Sequence, residues 1–169
     1  MLRLAPALCF AFVAACSSGF STGSASLTGI TPTIQSAGAN SFTMADGSGN
    51  MVLGWKLEFF SDGPNADCLS TSLNELADLF IYTQTPASQG GKATIGIGEI
   101  DIVTANPPTF EGNGDLAHFS IDGVHSVAGV IELTTSTNKI FEGTVDAAGT
   151  GSDGTDVNIT GMFNAPVCE

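Results

Sequence analysis

Met51-Val52-Leu53-Gly54-Trp55-Lys56-Leu57-Glu58-Phe59-Phe60-Ser61 is the stretch that decides the fold class. In an extended chain Leu53, Trp55, Leu57 and Phe59 share one face while Lys56 and Glu58 share the other, so the segment reads as a strand with a core side and a wet side. Asp62-Gly63-Pro64-Asn65 stops it. Weaker β-type runs follow the same rule at residues 27–34, 41–45, 79–84, 116–121, 124–134, 139–146 and 157–163. In the last of these Val157, Ile159 and Phe163 alternate with Asn158, Thr160 and Asn164. Small polar residues punctuate the runs: Ser36-Ala37-Gly38-Ala39-Asn40, Asp46-Gly47-Ser48-Gly49-Asn50, residues 86–91, Glu111-Gly112-Asn113-Gly114-Asp115, Asp122-Gly123, Thr135-Ser136-Thr137-Asn138, and a long loop over 147–156.

Two segments depart from plain alternation. Leu69, Leu73 and Leu76 stand at helical spacing behind a capping-box pattern, Ser72-Leu73-Asn74-Glu75, which predicts one short helix over 67–79. Within 92–104 the apolar parity switches between Ile95 and Ile97 on one side and Ile100 and Ile102 on the other, which predicts a bulge near Gly98. The expected architecture is therefore all-β: one two-layer antiparallel β-sandwich of about eight or nine strands with a short helix, and a small closed β-barrel as the alternative. Strands of about ten residues with aromatic girdles, as in a membrane-spanning barrel, are not evident.

The amino terminus assigns a destination. Arg3 is followed by an apolar stretch over residues 4–13, which is too short for a bilayer-spanning helix of about twenty residues and fits the core of a signal peptide. Val13-Ala14-Ala15-Cys16 closes it. These four residues resemble the lipobox of bacterial lipoproteins. The resemblance implies cleavage after Ala15, acylation of Cys16 and, with Ser17 next, an outer-membrane or cell-surface location. An ordinary secreted protein is the alternative. Two or three acyl chains anchor firmly, since each buried methylene contributes roughly 0.8 kcal/mol. The expected organisation is a signal peptide at 1–15, a lipidated polar tether at 16–26 and the sandwich domain at 27–169.

With the signal removed, Lys56, Lys92 and Lys139 face 17 acids, a balance that disfavours nucleic acid as a partner. Of four cysteines, Cys9 leaves with the signal and Cys16 takes the lipid. Cys68 and Cys168 remain, and in an oxidising compartment two such residues usually pair. Such a bridge would be worth about 4.7 kcal/mol for a loop of roughly 100 residues. Two reactive thiols or a metal pair are the alternatives.

Chemical motifs are sparse. Gly19-Phe20-Ser21-Thr22-Gly23 fits the serine-hydrolase pattern by letter but lacks a preceding buried strand. Residues 46–50 place oxygen side chains at alternate positions, as calcium loops do, without the required later glycine and glutamate. Gly112, Gly114 and Ala117 match a dinucleotide fingerprint outside any βαβ unit. If Asp122-Gly123 makes a two-residue hairpin, His118 and His125 become diagonal neighbours with Asp122 close by, a weak metal candidate short of the three or four ligands that zinc wants. No catalytic set and no cofactor are expected.

The tryptophan strand running into Ser61-Asp62, the cysteine shortly after it, the polar hairpins and the closing Gly161-Met162-Phe163-Asn164-Ala165-Pro166-Val167-Cys168 resemble small β-rich lipoproteins of myxobacteria. That resemblance implies an exported β domain with a Cys68–Cys168 bridge, and it implies no activity. The expected function is a lipid-anchored envelope lipoprotein acting as a structural or binding module, not an enzyme, with the membrane as its one assigned partner and any protein or glycan ligand open. A carbohydrate- or calcium-binding sandwich is the alternative.

Overall fold

The computed structural model describes residues 21–67, 70, 73–112, 114–122 and 124–168. Nine strands make up the body: β1 (Gly23–Thr28), β2 (Ser36–Ala45), β3 (Met51–Phe60), β4 (Glu75–Pro86), β5 (Gly98–Ile102), β6 (Leu116–Ile121), β7 (Val124–Ser136), β8 (Ile140–Gly151) and β9 (Asp156–Pro166). They form one closed barrel in the order β1-β2-β3-β4-β6-β5-β7-β8-β9. All ladders are antiparallel except the short β5–β6 contact, where Asp101 and Ile102 pair with Leu116 and Ala117.

The all-β class holds, but the sheet closes into a barrel and does not divide into the expected sandwich. Closure is made by β1 and β9, paired from Ala25↔Phe163 to Thr28↔Thr160. Beyond the short β1, the β9 tail reaches β2 directly: Ala39 bridges Val167, and the Cys168 amide donates to the Ala39 carbonyl at 2.8 Å. Alternation looks the same in a sandwich layer and in a barrel wall, because both bury one face. What differs is how closely the end strands approach. At Gly161 (φ +156°) an added Cβ would run into the Ser26 carbonyl, so only glycine lets β9 lie against β1.

The interior is filled by side chains. Trp55, Leu57 and Phe59 of β3 meet Leu79 and Ile81 of β4, Phe119 of β6, Ile131 and Leu133 of β7, Phe141 and Val145 of β8 and Ile159 of β9 in one cluster. The Trp55 and Phe141 rings lie 4.9 Å apart, and Phe59 contacts Phe119 and Phe163. Outward positions on the same strands carry Ser24, Ser26, Thr144, Asp146, Asn158 and Thr160, all exposed. The predicted face of β3 is therefore the interior face, with Lys56 and Glu58 outside.

Several expected boundaries move. Residues 36–40 read as a break by composition, yet they form the first half of β2, with Ser36 to Ala39 buried; small side chains fit where β9 crosses. The expected helix over 67–79 is replaced at its C-terminal end by β4: Ala77, Leu79 and Ile81 point inward at period two and pair with β3 and β6, which outweighs the local Leu73/Leu76 spacing. Residues 68, 69, 71 and 72 lie outside the described residues. Among the described residues the only helical turn is a 3-10 turn, Ala87–Gln89. The long loop over 147–156 shrinks to a tight turn between β8 and β9. The tether boundary also shifts, since β1 starts at Gly23 and Ser21 already bridges Asp67. At the parity switch, β5 begins only at Gly98 (φ +122°); Ile95 is buried ahead of the strand and Ile97 is exposed, so an irregular approach replaces the expected bulge.

Parallel pairing of β5 with β6 forces residues 103–115 back along the outside of the wall. The Val103 amide donates to Ala117, the Tyr82 hydroxyl to Asn106 Oδ1 (3.1 Å), and the Gly47 amide to Pro108 (2.8 Å). Beneath that crossover lie Phe42, Phe80 and Tyr82, with Phe42 edge-on to both others at 5.7 and 5.4 Å. This explains the aromatic residues on an otherwise polar outer face.

Candidate functional site

Two polar features on the outer wall combine geometry with charge. The first is a cluster on β2, β3 and β4. Register sets Glu58 opposite Asp78, and Lys56 one step away opposite Phe80. The Lys56 ammonium lies 2.8 Å from Glu58 Oε1, 2.8 Å from Asp78 Oδ1 and 3.4 Å from Glu75 Oε1, and 5.8 Å from the centre of the Phe80 ring. Asn40 Nδ2 donates to the second Glu58 oxygen at 2.6 Å. Asp78 Oδ1 is shielded from water, and the ammonium is its partner.

Burial alone would lower the basicity of Lys56, but its bonds to Asp78 and Glu58 and their charges outweigh burial and hold the ammonium well above the ordinary lysine value. Glu75 moves the other way for a carboxylate. Burial raises it, the hydrogen bond and charge of neighbouring Asp78 add to the rise, and Lys56 and Glu58 offset only part. The Glu58, Glu75 and Asp78 oxygens lie within 4.8 Å of one another, close enough for a divalent cation, yet the Lys56 ammonium already occupies their midst. The arrangement is a knot of three carboxyl groups around one ammonium, which offsets only part of their charge.

The second feature is a cleft of about 600 Å³ where the crossover leaves β5 and rejoins β6, lined by Asp101, Thr109, Glu111, Asp115 and Leu116 among others. Burial pushes the Asp115 carboxyl up. Gln84 Nε2 donates to the Gly112 carbonyl and, at 3.3 Å, to that of Gly114, pinning the outer lip. Gly112 and Gly114 thus serve a loop, and Ala117 lies inside the barrel; no strand-to-helix turn accompanies the dinucleotide-like letters.

The remaining sequence candidates form no shared site among the described residues. His118 sits half-buried on the outer side of β6, its Nδ1 3.2 Å from the Val103 carbonyl, and Asp122 is exposed. The His125 side chain lies outside the described residues, so the imidazole pair stays an expectation. Upstream of them β5 parts β6 from β7, with Ile102 between Ala117 and Gly129. The 46–50 turn is an Asx turn: Asp46 Oδ1 accepts from the Ser48 and Asn50 amides at 2.9 and 2.8 Å, and Oδ2 accepts from Asn50 Nδ2 at 3.1 Å. Burial opposes ionisation there, but these donors hold the carboxyl below its usual range. Both oxygens face N–H groups, the reverse of a calcium loop. Ser21 is exposed and leads straight into β1, with no helix behind it, so the hydrolase-like letters lack their elbow. Cys168 is buried; Cys16 and Cys68 lie outside the described residues.

Sequence reasoning placed Lys56 and Glu58 on one wet face but missed the cluster. The expected helix over 67–79 takes in Glu75 and Asp78, and only the β3–β4 register brings them to Lys56. The alternation of Ala77, Leu79 and Ile81 was the signal that could have found them. No family model, no curated protein and no solved structure matches this chain.

Proposed function

We propose that this chain is a lipid-anchored lipoprotein of the cell envelope, held at the outer membrane or cell surface, whose barrel acts as a structural or binding module and not as an enzyme. The observation that carries this reading is the sidedness of the wall: aromatic and aliphatic residues fill the interior, while Ser, Thr, Asn and acids face outward. A membrane-spanning barrel has the opposite sense. A body built this way stands in water, so attachment falls to the residues ahead of Ser21, where Val13-Ala14-Ala15-Cys16 supplies the lipobox-like stretch. Metabolic labelling with palmitate in the native host tests it. Wild type takes up label and stays with membranes, whereas Cys16→Ser does neither; a mature product that starts elsewhere or carries no fatty acid overturns the assignment.

The Cys68–Cys168 bridge belongs to the same reading. Residues 21–23 lie between the two cysteine-bearing segments: Thr22 exchanges backbone bonds with Ala66 and Asn65, Ser21 bridges Asp67, and a side chain at Gly23 would touch Pro166. Intact mass before and after reduction checks it: a gain of about 2 Da on reduction is expected for a bridged chain.

One observation favours a second reading, a calcium- or carbohydrate-binding module: Asp101, Glu111 and Asp115 line one cleft. Millimolar calcium would then raise the melting temperature of wild type and leave Asp101→Asn unchanged.

A further inference from the structure

Residues 90–97 join the 3-10 turn after β4 to Gly98, the first residue of β5, and cross the mouth of the barrel without entering any ladder. Their ends are built from glycine. Gly90, Gly91 and Gly98 hold φ of +69°, +81° and +122°, and a Cβ at any of them, or at Gly96, would meet nothing within 4 Å. These glycines serve backbone rotation and not close packing. Between the ends only Ala93 and Ile95 are buried, while Lys92, Thr94 and Ile97 are exposed, Ile97 at 72%.

Two hydrogen bonds tie the segment's carbonyls to the barrel: Trp55 Nε1 donates to Ala93, and Ser136 Oγ to Ile95, each at 2.8 Å. The Lys92 ammonium stands 5.5 Å from the centre of the Trp55 ring. A cavity of about 350 Å³ undercuts the segment against Ser136, Thr137, Asn138 and Phe141. The chain's single tryptophan thus gives its polar edge to a loop and not to the wall.

We propose that residues 90–97 form a flap that swings on Gly90 and Gly91 at one end and on Gly98, where β5 begins, at the other, and uncovers the Trp55 indole at the barrel mouth. Opening breaks these two hydrogen bonds and exposes Ala93, Ile95 and the indole they cover, whereas the ladders of β3, β4, β7 and β8 stay intact. It is a local opening well below global unfolding, of the kind that hydrogen exchange separates from the latter.

Exchange of the Trp55 indole N–H, compared with the ladder amides of Leu57 and Leu79 in the intact protein, tests the flap. The indole rate is expected to stay flat in low denaturant while the Leu57 and Leu79 rates climb with the slope of global unfolding. Ile159→Val, a mild core change away from the flap, is expected to speed Leu79 by about two- to tenfold and leave the indole unchanged. Ser136→Ala is expected to speed the indole about fivefold, the worth of one hydrogen bond. An indole that follows Leu57 and Leu79 in denaturant, or that accelerates with them in Ile159→Val, overturns the flap, as does an indole rate unmoved by Ser136→Ala. If Ser136→Ala does not fold, the wild-type denaturant series decides alone.

Discussion

Lys56 is the residue on which the outer wall's charge balance turns. Its ammonium neutralises one of three carboxylates within reach, and Glu58, Asp78 and Lys56 itself are each less than a quarter exposed by side chain. Pairs this sheltered sit between the fully exposed case, worth up to about 1 kcal/mol, and the buried case, where removing one partner costs about 3–5 kcal/mol. Lys56→Met is therefore expected to lower stability by about 1–2 kcal/mol at pH 7 in urea titration, and by less in acid, where Glu75, whose carboxyl is raised, takes up its proton and no longer attracts the ammonium. A loss that does not shrink on acidification would show that the lost packing against Phe80, and not the charge, was responsible. Glu75 is the converse case. Its folded-state value is raised, so its ionisation works against the fold and its contribution falls as pH rises through that value. Glu75→Gln is expected to be neutral or slightly stabilising at pH 7, with the difference vanishing below pH 4; a clear destabilisation at pH 7 would mean that its weaker contact with Lys56 dominates.

At the scale of elements, closure depends on β9 lying against β1. Gly161→Ala drives a methyl group into the Ser26 carbonyl at a backbone angle that favours glycine, and is expected to cost about 2–3 kcal/mol. Gly112→Ala, in open space, is expected to stay within about 0.5 kcal/mol. Equal effects at the two positions would remove close approach as the reason for the glycine. The sequence showed β3 clearly because its alternation is unbroken from Leu53 to Phe59. It misled at β4, where Leu69, Leu73 and Leu76 satisfy a helical spacing by coincidence and only cross-strand partners decide. It misled again at residues 36–40, whose small side chains look like a turn but are what a crowded seam requires. Sandwich and barrel were indistinguishable for a related reason: closure is a relation between strands distant in the chain, and no local period encodes it. The carboxylate cluster was hidden by the same long-range register, since Glu75 and Asp78 reach Lys56 only once β4 is a strand.

For the molecule as a whole, a formal charge of −13 on 169 residues with so few cations means that the compact state repels itself at neutral pH. Two groups of carboxyls set the direction of the pH response. Glu75 and Asp115 are raised by burial, so the folded state binds protons more readily than the unfolded one and stability declines as pH climbs through their folded values. Asp46 and Asp153 are depressed: at Asp46 the donors of its turn outweigh burial, and at Asp153 the Thr155 hydroxyl and amide do the same. Their support is present above the ordinary aspartate range and is lost as pH falls through their folded values. The two trends cross, so the melting temperature is expected to peak near pH 5 and fall on both sides. Salt separates the causes. Screening acts on surface charges about a Debye length apart, ~10 Å at 0.1 M, and leaves short bonds such as Asp46 to Asn50 largely intact. Raising sodium chloride from 20 to 500 mM is therefore expected to raise the melting temperature at pH 8 by several degrees and hardly at all at pH 5. A melting temperature that climbs steadily to pH 8 and ignores salt would show that charge repulsion across the acidic wall is not what limits this barrel.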